Sequence, residues 1–124
     1  MAAEPQQRRL LGRNMRLKQS RDFSRVRQQG RRMPYGCLIA NWMVLPPGSP
    51  MRLGVITAKK LGNAVVRARA RRLLREAFRL HQHDLSQPVD LVLVAQRTIV
   101  GKGFAAVEAD FLAMLRKARL VKTS

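Results

Sequence analysis

The segment 61–80 constrains this chain more than any other, because it divides into an apolar and a basic side when it is placed on an α-helix. At about 100° per residue, the apolar residues that collect on one side are Val66, Ala70, Leu73, Leu74, Ala77 and Leu80, with Phe78 at the margin. The other side carries an i, i+4 row of Arg67, Arg71, Arg75 and Arg79, with Arg69 and Arg72 beside it and Ala68 near its centre. The pattern predicts a helix that packs its apolar side on a sheet and presents arginine to a partner.

The overall charge indicates the chemistry of that partner. The chain has 25 Lys and Arg residues against 7 Asp and Glu, which gives a formal net charge of +18 and implies a polyanion. Nucleic acid is the commonest such partner, and an anionic membrane surface is the main rival. Solvated helix faces usually mix both signs, whereas like charges four residues apart repel, so the arginine row favours a bound anion. Arginine forks pair bidentately with phosphate and stack on bases, which favours a structured nucleic acid.

Three apolar runs predict strands. Residues 35–45 are rich in aromatic and branched side chains and stop at a proline-rich turn, residues 52–58 follow, and residues 90–96 come after Pro88. Because the first two runs are close in sequence, we expect them to form an antiparallel pair. The near-continuous apolar character of residues 90–96 favours an interior position in the sheet.

Two further helices flank these strands. The first covers residues 20–30, with Ser20 as its N-cap and Gly30 at its end. The second keeps a helical spacing of apolar side chains from Phe104 to Ala118. The order α-β-β-α-β-α predicts an α+β fold, a single-domain α-β sandwich with helices on a mixed sheet.

The length of 124 residues is typical of one domain. We expect a basic, flexible arm over residues 1–19, a folded α/β domain over 20–120 and a short tail over 121–124. No apolar run approaches the roughly 20 residues of a membrane-spanning helix, and the N-terminal segment has no apolar core of the secretory kind, so we expect a cytoplasmic protein. The lone Cys37 lies in an apolar run, which favours a small buried thiol.

The acids and histidines form no constellation typical of a catalytic site. Hydrolysis of a phosphodiester needs a metal cluster or an acid–base pair, yet the seven acids stand singly along the chain. His81 and His83 are two residues apart and would diverge on a helix, so we expect loop or surface histidines rather than metal ligands. We therefore expect no catalytic residue and no metal-binding residue on this polypeptide.

The segment KKLGNAVVRARARRLLREAFR resembles the signature of the bacterial ribonuclease P protein component. Its surroundings agree in order: RLKQSRDFSRVRQQG lies upstream, RLGVITAKK precedes the basic helix, DLVLVAQR follows it, and an amphipathic helix closes the chain. The resemblance covers roughly residues 16–120. It implies an α-β sandwich of the ribosomal-protein-like kind, compatible with an extra short N-terminal strand, in which the strand-helix-strand unit through the basic helix crosses over left-handedly.

Two positions depart from the family pattern. Ala68 stands where the family has an asparagine between two arginines, so Arg67 and Arg69 remain while the amide is missing. Arg27 stands at a position that often carries an aromatic residue in the family, which makes Phe23 the main aromatic residue of the first helix.

The resemblance implies a protein subunit that binds a catalytic RNA subunit and the 5′ leader of precursor transfer RNA, with Mg²⁺ held by the RNA, and no membrane or DNA partner. The residues expected to bind the RNA subunit are Lys59, Lys60, Asn63, Arg67, Arg69, Arg71, Arg72 and Arg75. The residues expected to bind the leader, as an aromatic side chain in a positive cleft, are Phe23, Arg27, Asn41, Lys60 and Arg67. Phe23 also suits a core position, and Asn41 also suits an exposed strand edge. The alternative function is that of a basic ribosomal or RNA-chaperone-like protein without an associated enzyme.

Overall fold

The structure is a computed structural model, and it describes residues 16–122. Its helices are α1 (Ser20–Gln29), α2 (Ala64–His81) and α3 (Phe104–Lys117), and its strands are β1 (Arg31–Tyr35), β2 (Leu38–Val44), β3 (Arg52–Ile56) and β4 (Val89–Ala95). The helices α2 and α3 confirm the two amphipathic segments read from the sequence. The three helices and the four-stranded sheet form the expected α+β fold.

The strands form one sheet in the order β1-β2-β4-β3. β4 pairs antiparallel with β2 and parallel with β3, so it occupies the predicted interior position. The predicted antiparallel pair between residues 35–45 and 52–58 is wrong, because β4 lies between β2 and β3. The crossover through α2 brings β4 into this place, where its apolar side chains are covered on both faces of the sheet. The left-handed sense of the crossover stays a prediction.

The strand β1 is an extra short strand that the six-element order did not place. It forms a hairpin with β2, in which Arg31 pairs with Trp42 and Tyr35 with Leu38. Gly36 adopts a positive φ of 54° in the turn, which a glycine does without steric cost. Tyr35 was predicted to be the first residue of the next strand, but it is the last residue of β1, because the chain turns at Gly36.

One face of the sheet holds the main core, which packs against α2 and α3. The buried side chains of α2 are Ala70, Leu73, Leu74, Ala77 and Phe78, and those of α3 are Val107, Phe111, Met114 and Leu115. This confirms the predicted apolar side of α2 in its middle, while Val66 and Leu80 are half-buried and Phe78, expected at the margin, is fully buried. Cys37 belongs to the same core and is fully buried, as expected, and burial raises the pKa of its thiol to about 12.

The opposite face of the sheet is covered by α1. Val26 is buried there with Leu17 and Val92, and Phe23 packs against this cluster. Ser20 is not the N-cap: the helix begins at Ser20 itself, Gln19 takes the cap position, and no side chain there accepts a hydrogen bond. Gly30 closes the helix, as predicted.

Leu17 shows that the folded part of the described chain begins before residue 20. Its backbone N–H donates to Leu53 O at 2.9 Å, and its side chain is 6% exposed. The neighbouring Arg16 forms a single parallel bridge to Leu53 at the outer edge of β3. Most of the predicted arm, residues 1–15, and the last two residues of the predicted tail lie outside the described residues.

A buried acid fixes α1 to the sheet. Asp90 of β4 is fully buried and accepts hydrogen bonds from Arg52 Nε at 3.0 Å and Arg52 Nη2 at 2.8 Å. Arg25 of α1 reaches the same carboxylate, with Nη2 at 3.4 Å from Oδ2. The hydrogen bonds to Asp90 raise the pKa of Arg52. Since a buried carboxylate needs such partners, this cluster ties α1, β3 and β4 together.

Within residues 16–122, no helix has the length and apolar character to cross a bilayer.

Candidate nucleic-acid interface

The start of α2 is built by a short turn and a capping residue. Lys59 and Lys60 are exposed in a single 3₁₀ turn, Lys59–Leu61. Gly62 follows, and a Cβ at this position would come within 2.8 Å of Val66 Cγ1, so a larger residue would displace the first turn. Asn63 caps the helix, since its Oδ1 accepts from Val66 N at 3.0 Å. Asn63 thus keeps its amide N–H group for a partner while its oxygen holds the helix.

The arginine side of α2 faces away from the core, as predicted. Ala68 and Arg72 are exposed, and Arg67, Arg69 and Arg71 are half-buried. Arg71 Nη1 donates to Thr57 Oγ1 at 2.8 Å, which ties the helix to the end of β3.

Arg67 has an unsatisfied donor. Its Nε is buried and has no hydrogen-bond acceptor in the part of the chain that the structure describes. A buried donor without a partner costs free energy of about 1–3 kcal/mol. A phosphate oxygen arriving at this guanidinium would supply the acceptor.

A basic groove lies along the middle of α2. It has a volume of about 380 Å³ and is lined by Arg16, Arg72, Arg75, Glu76 and Arg79. Burial, and then the charges of Arg16 and Arg71, lower the pKa of Arg75. Arginines packed this closely repel each other, so an anion in the groove is favoured.

Among the described residues, Glu76 is the one acid that lines this groove, and it is already paired within the helix. Arg79 Nε donates to Glu76 Oε1 at 3.0 Å, and this hydrogen bond lowers the pKa of Glu76. Glu76 therefore offsets the charge of Arg79 and leaves Arg16, Arg72 and Arg75 without an ion pair among residues 16–122. Arg16 was missed by the sequence reading because it fell in the predicted arm.

Phe23 lies where α1 crosses the sheet. Its ring packs over Gly54 so closely that a Cβ at that position would be 2.5 Å from Phe23 Cε2. The ring is half-buried, and it contacts the cluster that includes Ile56 and Val94. Arg27, one turn further along α1, is exposed. Phe23 combines the core position and the partly open surface that the sequence left as alternatives.

Asn41 does not fit the expected leader contact. Its side chain is 3% exposed on the interior strand β2, where Nδ2 donates to Val92 O at 3.5 Å. An amide buried beneath α1 offers no surface to a nucleotide. The sequence reading treated β2 as a strand with an open side, and the packing of α1 covers it.

A second cavity lies at the carboxyl ends of β3 and β4, next to the cluster that Phe23 packs against. Its volume is about 370 Å³, and Ile39 and Val94 form an apolar floor, with Lys60 and Arg97 at its sides. Val94 belongs both to this cavity and to the cluster beneath Phe23. Lys60 was among the expected leader contacts, whereas Arg97 was not, because no pattern singled out this position, two residues after the end of β4.

The described residues bring together no group of three His, Cys, Asp or Glu side chains suited to a metal ion. His81, at the end of α2, contacts two carboxylates, with Nδ1 at 3.2 Å from Asp84 Oδ2 and Nε2 at 2.7 Å from Glu108 Oε2. These contacts join the end of α2 to α3.

Comparison with known proteins gives one family. A family model described as Ribonuclease P matches residues 11–119. A ribonuclease P protein component of Gluconacetobacter diazotrophicus is 40% identical over 104 residues, covering 83% of this chain and 90% of the relative. The same protein of Alkaliphilus metalliredigens is 33% identical over 108 residues, covering 87% of this chain and 96% of the relative.

Solved structures share the fold. The RNase P protein of Staphylococcus aureus superposes with a TM-score of 0.76 at 23% identity, covering 87% of this chain and 98% of that one. The RNase P protein of Thermotoga maritima gives a TM-score of 0.72 at 23% identity, covering 82% of this chain and 96% of that one. With the matched sequence spanning the basic helix, the sheet and the closing helix, the chain belongs to the ribonuclease P protein component family.

Proposed function

We propose that this chain is the protein subunit of ribonuclease P, and that it binds the catalytic RNA subunit and the 5′ leader of precursor transfer RNA. The observation that carries the proposal is the arginine surface of α2, whose single acid, Glu76, is already paired with Arg79. Unpaired arginines at a groove attract phosphate, and several such contacts give high affinity for a structured RNA backbone.

The two surfaces have separate tasks in this proposal. The α2 surface, with Lys59, Asn63, Arg69, Arg72 and Arg75, binds the RNA subunit. The cleft beside Phe23, with Arg27, Lys60, Arg67 and Arg97, binds the leader. Its apolar floor and flanking cations suit single-stranded RNA, which is held by base stacking in a positive groove.

The chemistry of cleavage is assigned to the RNA. Magnesium supplies Lewis-acid and water-activating chemistry when bound, and the side chains of residues 16–122 form no cluster that fits it. We therefore place the expected Mg²⁺ with the RNA subunit and give this chain the tasks of binding and orienting the substrate. Purified protein with magnesium should leave precursor transfer RNA intact, and addition of the RNA subunit should give cleavage. Comparable turnover by the protein alone would refute the assignment and would equally exclude a mere RNA chaperone.

Substitutions separate the two surfaces. Arg72→Ala removes an exposed cation from the groove and should weaken assembly with the RNA subunit by about 1–3 kcal/mol, the scale of a charge-assisted hydrogen bond. Arg116→Ala is the matched control, because Arg116 is an exposed arginine of α3 outside both surfaces. If Arg72→Ala and Arg116→Ala weaken assembly equally, binding of the RNA subunit depends on the total charge of the protein and not on the α2 surface.

Phe23→Ala should spare assembly and weaken binding of precursor transfer RNA by about 1–3 kcal/mol, the scale of one lost base stack. Mature transfer RNA, which has no leader, is the internal control for this variant. Circular dichroism checks that the fold is retained. A loss of the same size for mature transfer RNA would contradict the placement of the leader in this cleft.

A further inference from the structure

A third basic cavity lies at the β1 edge of the sheet, away from both surfaces described above. Its volume is about 670 Å³, compared with about 380 Å³ for the α2 groove and 370 Å³ for the Phe23 cleft. Its lining includes the basic residues Arg31, Arg32, Lys117 and Arg119, the half-buried Met33, and Trp42, which is 5% exposed. Cavities of roughly 300–1,000 Å³ are typical of small-ligand sites.

Three cations of this lining, Arg31, Lys117 and Arg119, are the ones considered as ligands, since Arg32 alternates with Arg31 and its side chain points to the other face of the sheet. Among residues 16–122, no acidic residue lines the cavity, and none of these three side chains takes part in an ion pair. Lys117 Nζ lies 5.5 Å from the centre of the Tyr35 ring, a cation–π contact that holds the ammonium group near β1. Three cations around one concave surface repel each other until an anion binds.

Arg119 is held in a conformation that normally selects glycine. It is the non-glycine residue of the described chain with positive φ, at 59°. Its N–H donates to Arg116 O at 3.1 Å and the next N–H, that of Leu120, donates to Leu115 O at 2.9 Å. These two bonds define a Schellman motif, in which Arg119 occupies the left-handed position usually taken by glycine.

An arginine in this left-handed conformation is less stable than a glycine would be, because its Cβ approaches the neighbouring carbonyl oxygen. The end of α3 would therefore be more stable with glycine at residue 119. Arg119 nevertheless lines the cavity together with Arg31 and Lys117. The chain therefore has a cation, and not glycine, at this left-handed position beside the cavity.

We propose that this cavity binds one nucleotide of an RNA strand, with its phosphate held by Arg31, Lys117 and Arg119 and its base against Met33. It is a second RNA contact, beyond the function proposed above. The strands β1 and β3 are opposite edges of the sheet, three strand spacings or about 14 Å apart. A phosphate in this cavity is thus separate from one in the α2 groove beside β3.

Trp42 is the single tryptophan of the chain, so its fluorescence reports on this cavity. We would titrate the full chain with a short single-stranded oligoribonucleotide and follow Trp42 emission. Arg119→Gly should weaken binding by about tenfold, the scale of one charge-assisted hydrogen bond. The same variant should keep or raise the melting temperature because it relieves the left-handed strain. Arg116→Ala removes an equal charge from the last turn of α3, three residues before Arg119, and should leave the titration unchanged.

The source of the strand is distinguished by two further titrations, one with the catalytic RNA subunit and one with precursor transfer RNA. A loss for Arg119→Gly with either RNA supports the site and identifies the strand that occupies it. Unchanged affinity of Arg119→Gly for all three RNAs overturns the proposal. It is also overturned if Arg116→Ala loses as much affinity, or if anionic phospholipid vesicles, and not RNA, show the dependence on Arg119. The Arg72→Ala assembly test reports on the α2 surface, so the two proposals fail independently.

Discussion

At the scale of single residues, Ala68 lies at the exposed centre of the arginine surface, flanked by Arg67 and Arg69. The family pattern has an asparagine at this position. An exposed amide there would add a donor and an acceptor without burying any polar group. The cost of the change is limited to helix propensity, at most about 0.7 kcal/mol.

Ala68→Asn should therefore improve assembly with the RNA subunit or leave it unchanged, while the melting temperature falls slightly. Ala109→Asn is the matched control, because Ala109 is exposed on α3 and carries the same propensity cost away from the arginine surface. Binding isotherms with the RNA subunit and thermal melts of both variants make the comparison. A weaker complex for Ala68→Asn alone would show that the RNA approaches residue 68 too closely for a larger side chain.

Gly54 is a second residue whose size matters, since a Cβ there would lie 2.5 Å from the ring of Phe23. Gly54→Ala should displace the ring and destabilise the fold by about 1–3 kcal/mol through overpacking. Binding of precursor transfer RNA should weaken with it, because the ring leaves its position in the cleft. Gly103→Ala serves as control, as its Cβ would meet no atom within 4 Å. If Gly54→Ala binds precursor transfer RNA as tightly as the wild type does, Phe23 contributes to the packing of the core and not to leader binding.

At the scale of elements, the attachment of α1 to the sheet decides whether the leader cleft exists. Besides apolar packing, α1 is held by Asp90, which Arg52 and Arg25 contact from β3 and from the helix. Arg52 and Arg25 are 32% and 42% exposed, whereas the side chain of Asp90 is fully buried. Both guanidinium groups can be solvated by water when the carboxylate is removed, so the loss in the free energy of unfolding is smaller than for a fully buried ion pair.

Asp90→Asn should lower the free energy of unfolding by about 1–3 kcal/mol, the scale of lost hydrogen bonds to a charged group. The effect should be local: amide hydrogen exchange should accelerate over residues 20–29 more than over 64–81, because α2 does not contact this carboxylate. Asp84→Asn is the control, since Asp84 is 62% exposed at the surface. Uniform acceleration of exchange in both helices would show that Asp90 supports the whole sheet rather than α1.

At the scale of the whole molecule, periodic patterns predicted what is local and missed what depends on packing between elements. The apolar and basic sides of α2 and the interior place of β4 followed from side-chain spacing. The pairing of β2 with β3 did not occur, because the crossover through α2 brings a more apolar strand between them. Asn41 is buried for the same kind of reason, since α1 covers its strand. Arg119 could not be identified either, because glycine is the usual signal for its backbone conformation.

Binding of the RNA subunit should weaken steeply as salt rises, because Lys and Arg side chains displace counterions from phosphates. Arg72→Ala should reduce the slope of log affinity against log salt by about 0.7–0.9, the contribution of one phosphate contact. If the β1-edge cavity holds the same RNA, Arg119→Gly should reduce the slope by a similar amount, while Arg116→Ala leaves it unchanged.

The double variant of Arg72 and Arg119 tests the geometry. Sites more than about 7–10 Å apart with no shared partner contribute additively to free energy, and the α2 groove and the β1-edge cavity lie beside opposite edges of the sheet, which are about 14 Å apart. The two losses in slope and in binding free energy should therefore add in the double variant. If the double variant binds the RNA subunit no more weakly than Arg72→Ala does, the RNA reaches only the α2 groove, because a second independent phosphate contact cannot vanish when the first is removed.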